Sequence, residues 1–156
     1  MKRIAVLVLT GLGSCLWQTT AHAQLVGNLT IQVENLRNQE GNICFKVFSG
    51  SRGFPNDNDS AVQRTCVAIA SIPTENPDDP LQYTFENLTS GTYAVAIYHD
   101  SNGDEVLNRG TFGAPIEGYG FSNDAPADTG PARFEDAIFL VAGPETTVPI
   151  QMRYPN

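Results

Sequence analysis

At 156 residues, with 41% of them hydrophobic, the chain is long enough for one domain with a packed core. Its 17 acidic against 9 basic side chains give a net charge of −8, which leaves no basic surface to neutralise phosphates and sets nucleic acid aside as a partner. An anionic membrane surface is disfavoured on the same ground.

Lys2 and Arg3 precede an apolar run from Ile4 to Trp17, and Ala21-His22-Ala23 supplies an A-x-A site before Gln24. This is the pattern of a secretory signal peptide over residues 1–23, followed by one domain over 24–156. Gly11, Gly13 and Ser14 interrupt the run, which falls short of the roughly 20 apolar residues that span a bilayer. Leu12-Gly13-Ser14-Cys15 resembles a lipobox, the alternative route in which Cys15 becomes a lipid anchor, but Leu16 and Trp17 stand where a polar tether belongs. Cleavage after Ala23 leaves seven bases against 17 acids, a charge of −10. No later segment is apolar for long enough to form a transmembrane helix, so the expected location is secreted or periplasmic. Two cysteines then remain, Cys44 and Cys66. In an oxidising compartment an even pair reads as one disulfide, the alternative being two buried thiols.

Beyond the leader, alternation with a period of two dominates. Leu29, Ile31 and Val33 share a face, Asn38-Gln39-Glu40-Gly41 turns the chain, and Ile43, Phe45 and Val47 repeat the pattern, which predicts a hairpin. Gly53, Pro55 and the run from Asn56 to Ser60 predict a loop, and Ala61 to Ile69 predicts a strand carrying Cys66. Three prolines between Pro73 and Pro80 predict an exposed connection that no helix tolerates. Strands follow over Leu81 to Leu88 and Thr92 to Tyr98, separated by Thr89-Ser90-Gly91. Tyr93, Val95 and Ile97 alternate with alanines, as in a central strand buried on both faces. Residues 137–142 and 146–154 are predicted to pair through Gly143-Pro144, with Pro149 at an edge or bulge because it lacks a ladder N–H. About seven strands and no amphipathic helix make an all-β, two-sheet sandwich the economical architecture, immunoglobulin-like or prealbumin-like, with one long ordered loop.

The run Phe85-Glu86-Asn87-Leu88-Thr89-Ser90-Gly91-Thr92-Tyr93-Ala94-Val95 resembles the F-x-x-L-x-x-G-x-Y-x-V pattern of transthyretin-like, carboxypeptidase-regulatory-like sandwiches. Three further blocks, His99 to Asp104, Gly113 to Asn123 and Pro131 to Ala137, are similar to the signature segments of the DUF2141 family. That resemblance covers about Val26 to Tyr154; it implies a secreted bacterial sandwich and no particular reaction.

Candidate chemistry concentrates between His99 and Ala137. Asp100, Asn102, Asp104, the Val106 carbonyl and Asn108 follow the alternate-position spacing of an EF-hand-type calcium loop, where clustered oxygens suit a hard cation. Glu105 replaces the turn glycine and Thr111 the bidentate Glu, so the candidate is a weak calcium site, with Glu117 or Asp136 as the completing carboxylate. The same residues also fit a turn whose Asp and Asn side chains cap their own backbone. Gly110 to Gly130 carries five glycines and no strand alternation, yet Phe112, Ile116, Tyr119 and Phe121 are too apolar for disorder. It is predicted to be an ordered loop that either covers an edge strand or presents a ligand platform. Tyr119 and Phe121 would then offer ring faces, and His99, Glu117, Asn123 and Asp136 polar contacts.

A Ser122, His99 and Glu117 set can be written as a triad, but no nucleophile elbow accompanies it, and a Glu117 with Asp136 pair lacks room for a glycosidase cleft in so small a domain. Three N-glycosylation sequons begin at Asn28, Asn58 and Asn87 and matter where the host has the machinery. The sequence therefore points to a non-enzymatic binding or accessory module whose 99–137 region takes a small ligand, a glycan or an envelope protein. The alternatives are a purely structural or envelope-interaction domain and a small hydrolase. Residues 100–136 hold eight acids and two bases, so that face is expected to favour cations or neutral polar partners and to repel anions.

Overall fold

The structure, a computed structural model, describes residues 25–76 and 79–155. The leader, Cys15 and the cleavage site after Ala23 lie outside the described residues. Among the described residues, eight strands form two sheets. In the first, β1 (Val26–Glu34) lies between β4 (Leu81–Thr89), its antiparallel neighbour, and β8 (Glu145–Gln151), its parallel one. The second has the order β3 (Gln63–Ala68), β2 (Asn42–Phe48), β5 (Gly91–Asp100), β6 (Gly118–Phe121), and β7 (Phe139–Val141) pairs with the start of β5 beyond β6. All pairings in this sheet are antiparallel.

Alternation dictates which face each strand buries. Leu29, Ile31 and Val33 of β1, Ile43, Phe45 and Val47 of β2, and Val95 and Ile97 of β5 point between the sheets, joined there by Leu81, Phe85, Val148 and Ile150. Each such side chain contributes about 1.5–3 kcal/mol by leaving water. Phe45 stacks on Tyr83 at 5.1 Å between ring centroids and meets Phe85 edge-on at 6.1 Å. Cys44 and Cys66 are direct partners across β2 and β3 and form a disulfide.

The predicted hairpin between the first two strands does not form: β1 and β2 belong to different sheets, and residues 35–41 cross between them. Each of these strands has one apolar face, which the core between two facing sheets buries whether the next strand pairs beside it or crosses over, so alternation does not decide between the two. The predicted pairing of residues 137–142 with 146–154 fails in the same way. Gly143-Pro144 carries the chain from β7 on β5 in the second sheet to β8 on β1 in the first. Pro149 occupies an edge strand, where its missing N–H leaves the β1 ladder intact.

The eighth strand, β6, is the one the sequence concealed. Gly118 and Gly120 point inward, where a Cβ on Gly118 would lie 2.3 Å from the Tyr154 ring and one on Gly120 2.7 Å from the Gln151 carbonyl. Tyr119 and Phe121 point outward opposite Tyr98 and Ala96. Past β8 the chain crosses to this strand, where Tyr119 and Arg153 exchange backbone hydrogen bonds of 2.9 and 2.8 Å.

Candidate functional site

The outer face of the second sheet is built differently from the inner one. Ala94 and Ala96 leave a shallow surface on β5, and the segment after β6 lays Ala125, Ala132 and Ala137 on it, with Phe48 of β2 and Phe121 of β6 completing a second apolar cluster. Phe54 and Phe134 meet edge-on at 5.7 Å over this cluster. Ser122, fully buried, is the fastener: its hydroxyl donates to the Ala137 carbonyl at 2.6 Å and accepts from the Val95 N–H at 2.9 Å.

Coverage stops short of Tyr98, and a cleft of about 570 Å³ remains. Ala96 and Tyr98 of β5 and Tyr119 and Phe121 of β6 contribute the sheet side; residues 55–56, 112–115 and 127–131 contribute the walls. Phe112 stands fully exposed at the lip in a left-handed backbone conformation, φ 67°. Lys46, in the middle of β2, and Arg109, from the loop, line the same space, with Asp128 as its acidic group. Lys46 donates to the Asn56 carbonyl at 3.2 Å and lies 5.5 Å from the Tyr98 ring centroid. Arg109 donates to the Asn56 side-chain oxygen at 3.0 Å and to the Gly113 carbonyl at 2.9 Å. Among the described residues neither cation joins a salt bridge. Burial, reinforced by Arg64 and Arg109, pulls the Lys46 pKa down, and Asp57 opposes the shift. The cleft is thus cationic within an acidic molecule, and its charge runs against the sign expected of residues 100–136 as a whole.

The carboxylates of that segment are engaged in shaping loops. Asp100 is buried; one of its oxygens accepts the Gly103 and Asp104 N–H groups and the other the Glu105 N–H and the Asn42 amide. Asp104 accepts from the Val106 N–H and from the Asn102 and Asn108 amides, which hold its carboxyl below the usual range. Glu117 is buried and ties the two ends of the turn together, accepting from Ser101 N–H and Asn108 N–H at 2.9 Å each. Among the described residues no group of three or more His, Cys, Asp or Glu converges as metal ligands do.

Of the predicted ligand contacts, Tyr119 and Phe121 line the cleft; the other four lie elsewhere. His99 is fully buried on the inter-sheet face, the opposite side of β5 from Tyr98, because the strand period alternates its side chains. One ring nitrogen lies 2.7 Å from the Tyr154 hydroxyl and the other 2.7 Å from the Glu40 carbonyl. A carbonyl only accepts, so Nε2 carries a proton, and in the neutral ring Nδ1 accepts from Tyr154. Asn123 donates to the Ile138 carbonyl, and Asp136 is exposed on the single helical turn α1 (Phe134–Ala137). Ser122, His99 and Glu117 are each bonded to separate partners and share no hydrogen bond.

A family model described as an uncharacterized protein conserved in bacteria (DUF2141) matches residues 31–149. The chain belongs to this family. In this DUF2141 protein the matched span contains the end of β1 from Ile31, all of β2 and β5, the Asp100 turn and the whole cleft-forming loop. No curated protein matches the chain. Among solved structures, a fimbrial assembly protein from Parabacteroides distasonis is similar to 83% of this chain at a TM-score of 0.40 and 8% identity. The alignment spans 53% of that protein, so the chain corresponds to about half its length.

Lys46 and Arg109 are the cleft residues that sequence reasoning passed over. Their signal was present in one case: Lys46 interrupts the apolar run Ile43-Cys44-Phe45-Lys46-Val47-Phe48 at a position that alternation assigns to the outer face.

Proposed function

We propose that this DUF2141 protein is a secreted or periplasmic binding module, without catalytic activity of its own, that takes a small ligand on the outer face of its second sheet. The carrying observation is the cleft of about 570 Å³ floored by Tyr98, Tyr119 and Phe121, a volume and an aromatic lining suited to a small molecule. The compartment is supported by the leader pattern of residues 1–23 and by the Cys44–Cys66 disulfide, since disulfides persist in oxidising surroundings. The absence of catalysis is a reading supported by Ser122, His99 and Glu117, each committed to a different structural contact.

A purely structural role for the loop also has an observation in its favour, the burial of Ala125, Ala132 and Ala137 over β5. Amide-resolved NMR separates the two readings. In a screen of neutral sugars, sugar acids and dipeptides, binding at the cleft moves the resonances of Ala96, Tyr98, Ala114 and Tyr119 together. A screen that moves none of them leaves the structural role standing and removes the binding role.

A further inference from the structure

We infer that the cleft selects a small monoanion, a carboxylate carried on a six-membered ring, through Lys46 and Arg109; this rests on the binding reading above and gives it a ligand class. The domain of residues 24–156 has seven basic side chains; Lys46 and Arg109 line the cleft, and Arg64 acts on Lys46 from outside the lining. Asn56 brackets two of them, its carbonyl accepting from Lys46 and its side-chain oxygen from Arg109. A neutral amide holds the cations side by side without cancelling their charge.

An ammonium has three donors and a guanidinium five. Lys46 uses one, to Asn56, and Arg109 uses two, to Asn56 and Gly113. Asp57, the acidic group that acts on Lys46, has its carboxylate occupied by the Ser60 hydroxyl at 2.6 Å and the Asp59 N–H at 3.0 Å. Like charges held together in a partly buried site disfavour each other's charged forms, and an anion placed between them reverses that effect. Among the lining residues Lys46 and Arg109 against Asp128 leave one net positive charge, and Arg64 and Asp57, which act on Lys46 from outside the lining, offset each other. That balance matches a monoanion, and the −10 of the domain penalises a dianion more heavily. Arg and Lys bind carboxylates by charge-assisted hydrogen bonds, while Tyr98, Tyr119 and Phe121 offer the apolar surface a ring covers.

The ring acid has two chemical sources, an acidic sugar or an aromatic acid, and the experiment distinguishes them. The protein is titrated with glucuronate, benzoate, glucose and glucose 6-phosphate by amide-resolved NMR at low salt, then again in about 0.5 M sodium chloride, where charge pairs are screened. The expected result is that glucuronate or benzoate binds at least about tenfold more tightly than glucose and than glucose 6-phosphate, and weakens in salt. The better of the two names the source. Lys46→Gln with Arg109→Gln should weaken that acid about tenfold or more while the melting curve stays close to that of the parent. Glucose binding at the cleft as tightly as glucuronate and benzoate overturns the anion inference and leaves the binding reading intact. So does acid binding that the double variant does not change. No response at Ala96, Tyr98 and Tyr119 to any of the four compounds overturns both.

Discussion

β5 is one strand with two different surroundings. On its inner face Val95 and Ile97 pack in one continuous core with Leu29, Ile31, Val33, Val148 and Ile150 of the first sheet. On its outer face Ala94 and Ala96 meet a loop that covers the first and leaves the second beside a cleft. The difference lies in what does the covering. A sheet brings evenly spaced side chains every second residue, whereas the loop brings a few anchors, Ala125, Ala132 and Ala137, with gaps between them. One face is therefore a stability device, and the other combines stability with an opening of molecular size.

Truncation on the two faces should break that comparison if it is mistaken. Ile97→Ala on the inner face should cost about 2–5 kcal/mol in denaturant unfolding. Tyr119→Ala on the outer face, half-buried beside the cleft, should cost only about 1 kcal/mol and should act on ligand binding. Equal losses from the two changes would mean that both faces are core. Removal of the disulfide by Cys44→Ser with Cys66→Ser tests the second sheet itself. It frees a loop with a sequence separation of 22 and should cost about 3 kcal/mol by chain entropy. An unchanged unfolding midpoint would show that β2 and β3 hold their register without the bridge. Ser122→Ala cuts the fastener that holds the loop on β5 and removes the side-chain partner of the Val95 N–H and the Ala137 carbonyl. A loss of about 1–3 kcal/mol is expected, concentrated in hydrogen exchange of residues 122–137; uniform exchange across the domain would deny the fastener role.

The inner face was legible in the sequence and the outer face was not, for physical reasons. Alternating Leu, Ile, Val and Phe in β1, β2 and β5 state a period of two with large side chains, so the sandwich and its core could be read directly. Pairing partners could not, because a strand with one apolar face is satisfied equally by a hairpin neighbour or by a crossing to the facing sheet; the failed hairpin at residues 35–41 records that degeneracy. β6 was hidden because its inward positions are glycines, set by the close approach of Tyr154 and Gln151, and hydrophobic periodicity registers side chains rather than gaps. In the site, Tyr119 and Phe121 were legible as rings too apolar for a free loop. His99, Glu117 and Asn123 looked available only because a sequence does not display the carbonyls and N–H groups that occupy them.

A pH titration sharpens the picture at the cleft. Burial, followed by the charges of Asp100, Glu105, Asp104 and Glu117, pushes the Tyr98 pKa from 10.0 up to about 12, and its hydroxyl donates to the Glu105 carbonyl at 2.5 Å. The folded protein keeps this proton where the unfolded chain releases it, so the contribution is complete below pH 10 and is lost as pH rises toward 12. Thermal melts should fall through that window more steeply than in Tyr98→Phe. Identical alkaline limbs in the two proteins would exclude Tyr98 as the group responsible.

The smallest effect belongs to calcium at residues 100–108. Asp100 already accepts two hydrogen bonds on each oxygen, which uses the lone pairs a metal would need. A site here therefore relies on Asp104, with Asn102 and Asn108 turning amide oxygens toward the ion in place of the amide donors they now aim at its carboxylate. With one carboxylate and two amides as ligands, calcium held here would be bound weakly, as in the extracellular class with affinities of about 0.1–1 mM. Titration should then give a small heat and a slight rise in melting temperature in that range, both abolished by Asp104→Asn. The acid limb offers an independent check, because Asp104 is held below its ordinary pKa. Its carboxylate contributes stability above the ordinary carboxylate range and loses it as pH falls through the lowered folded value, so calcium's effect should vanish over that same interval. Melting that is indifferent to millimolar calcium at neutral pH would leave the Asp100 to Asn108 turn as a wall braced by its own hydrogen bonds alone.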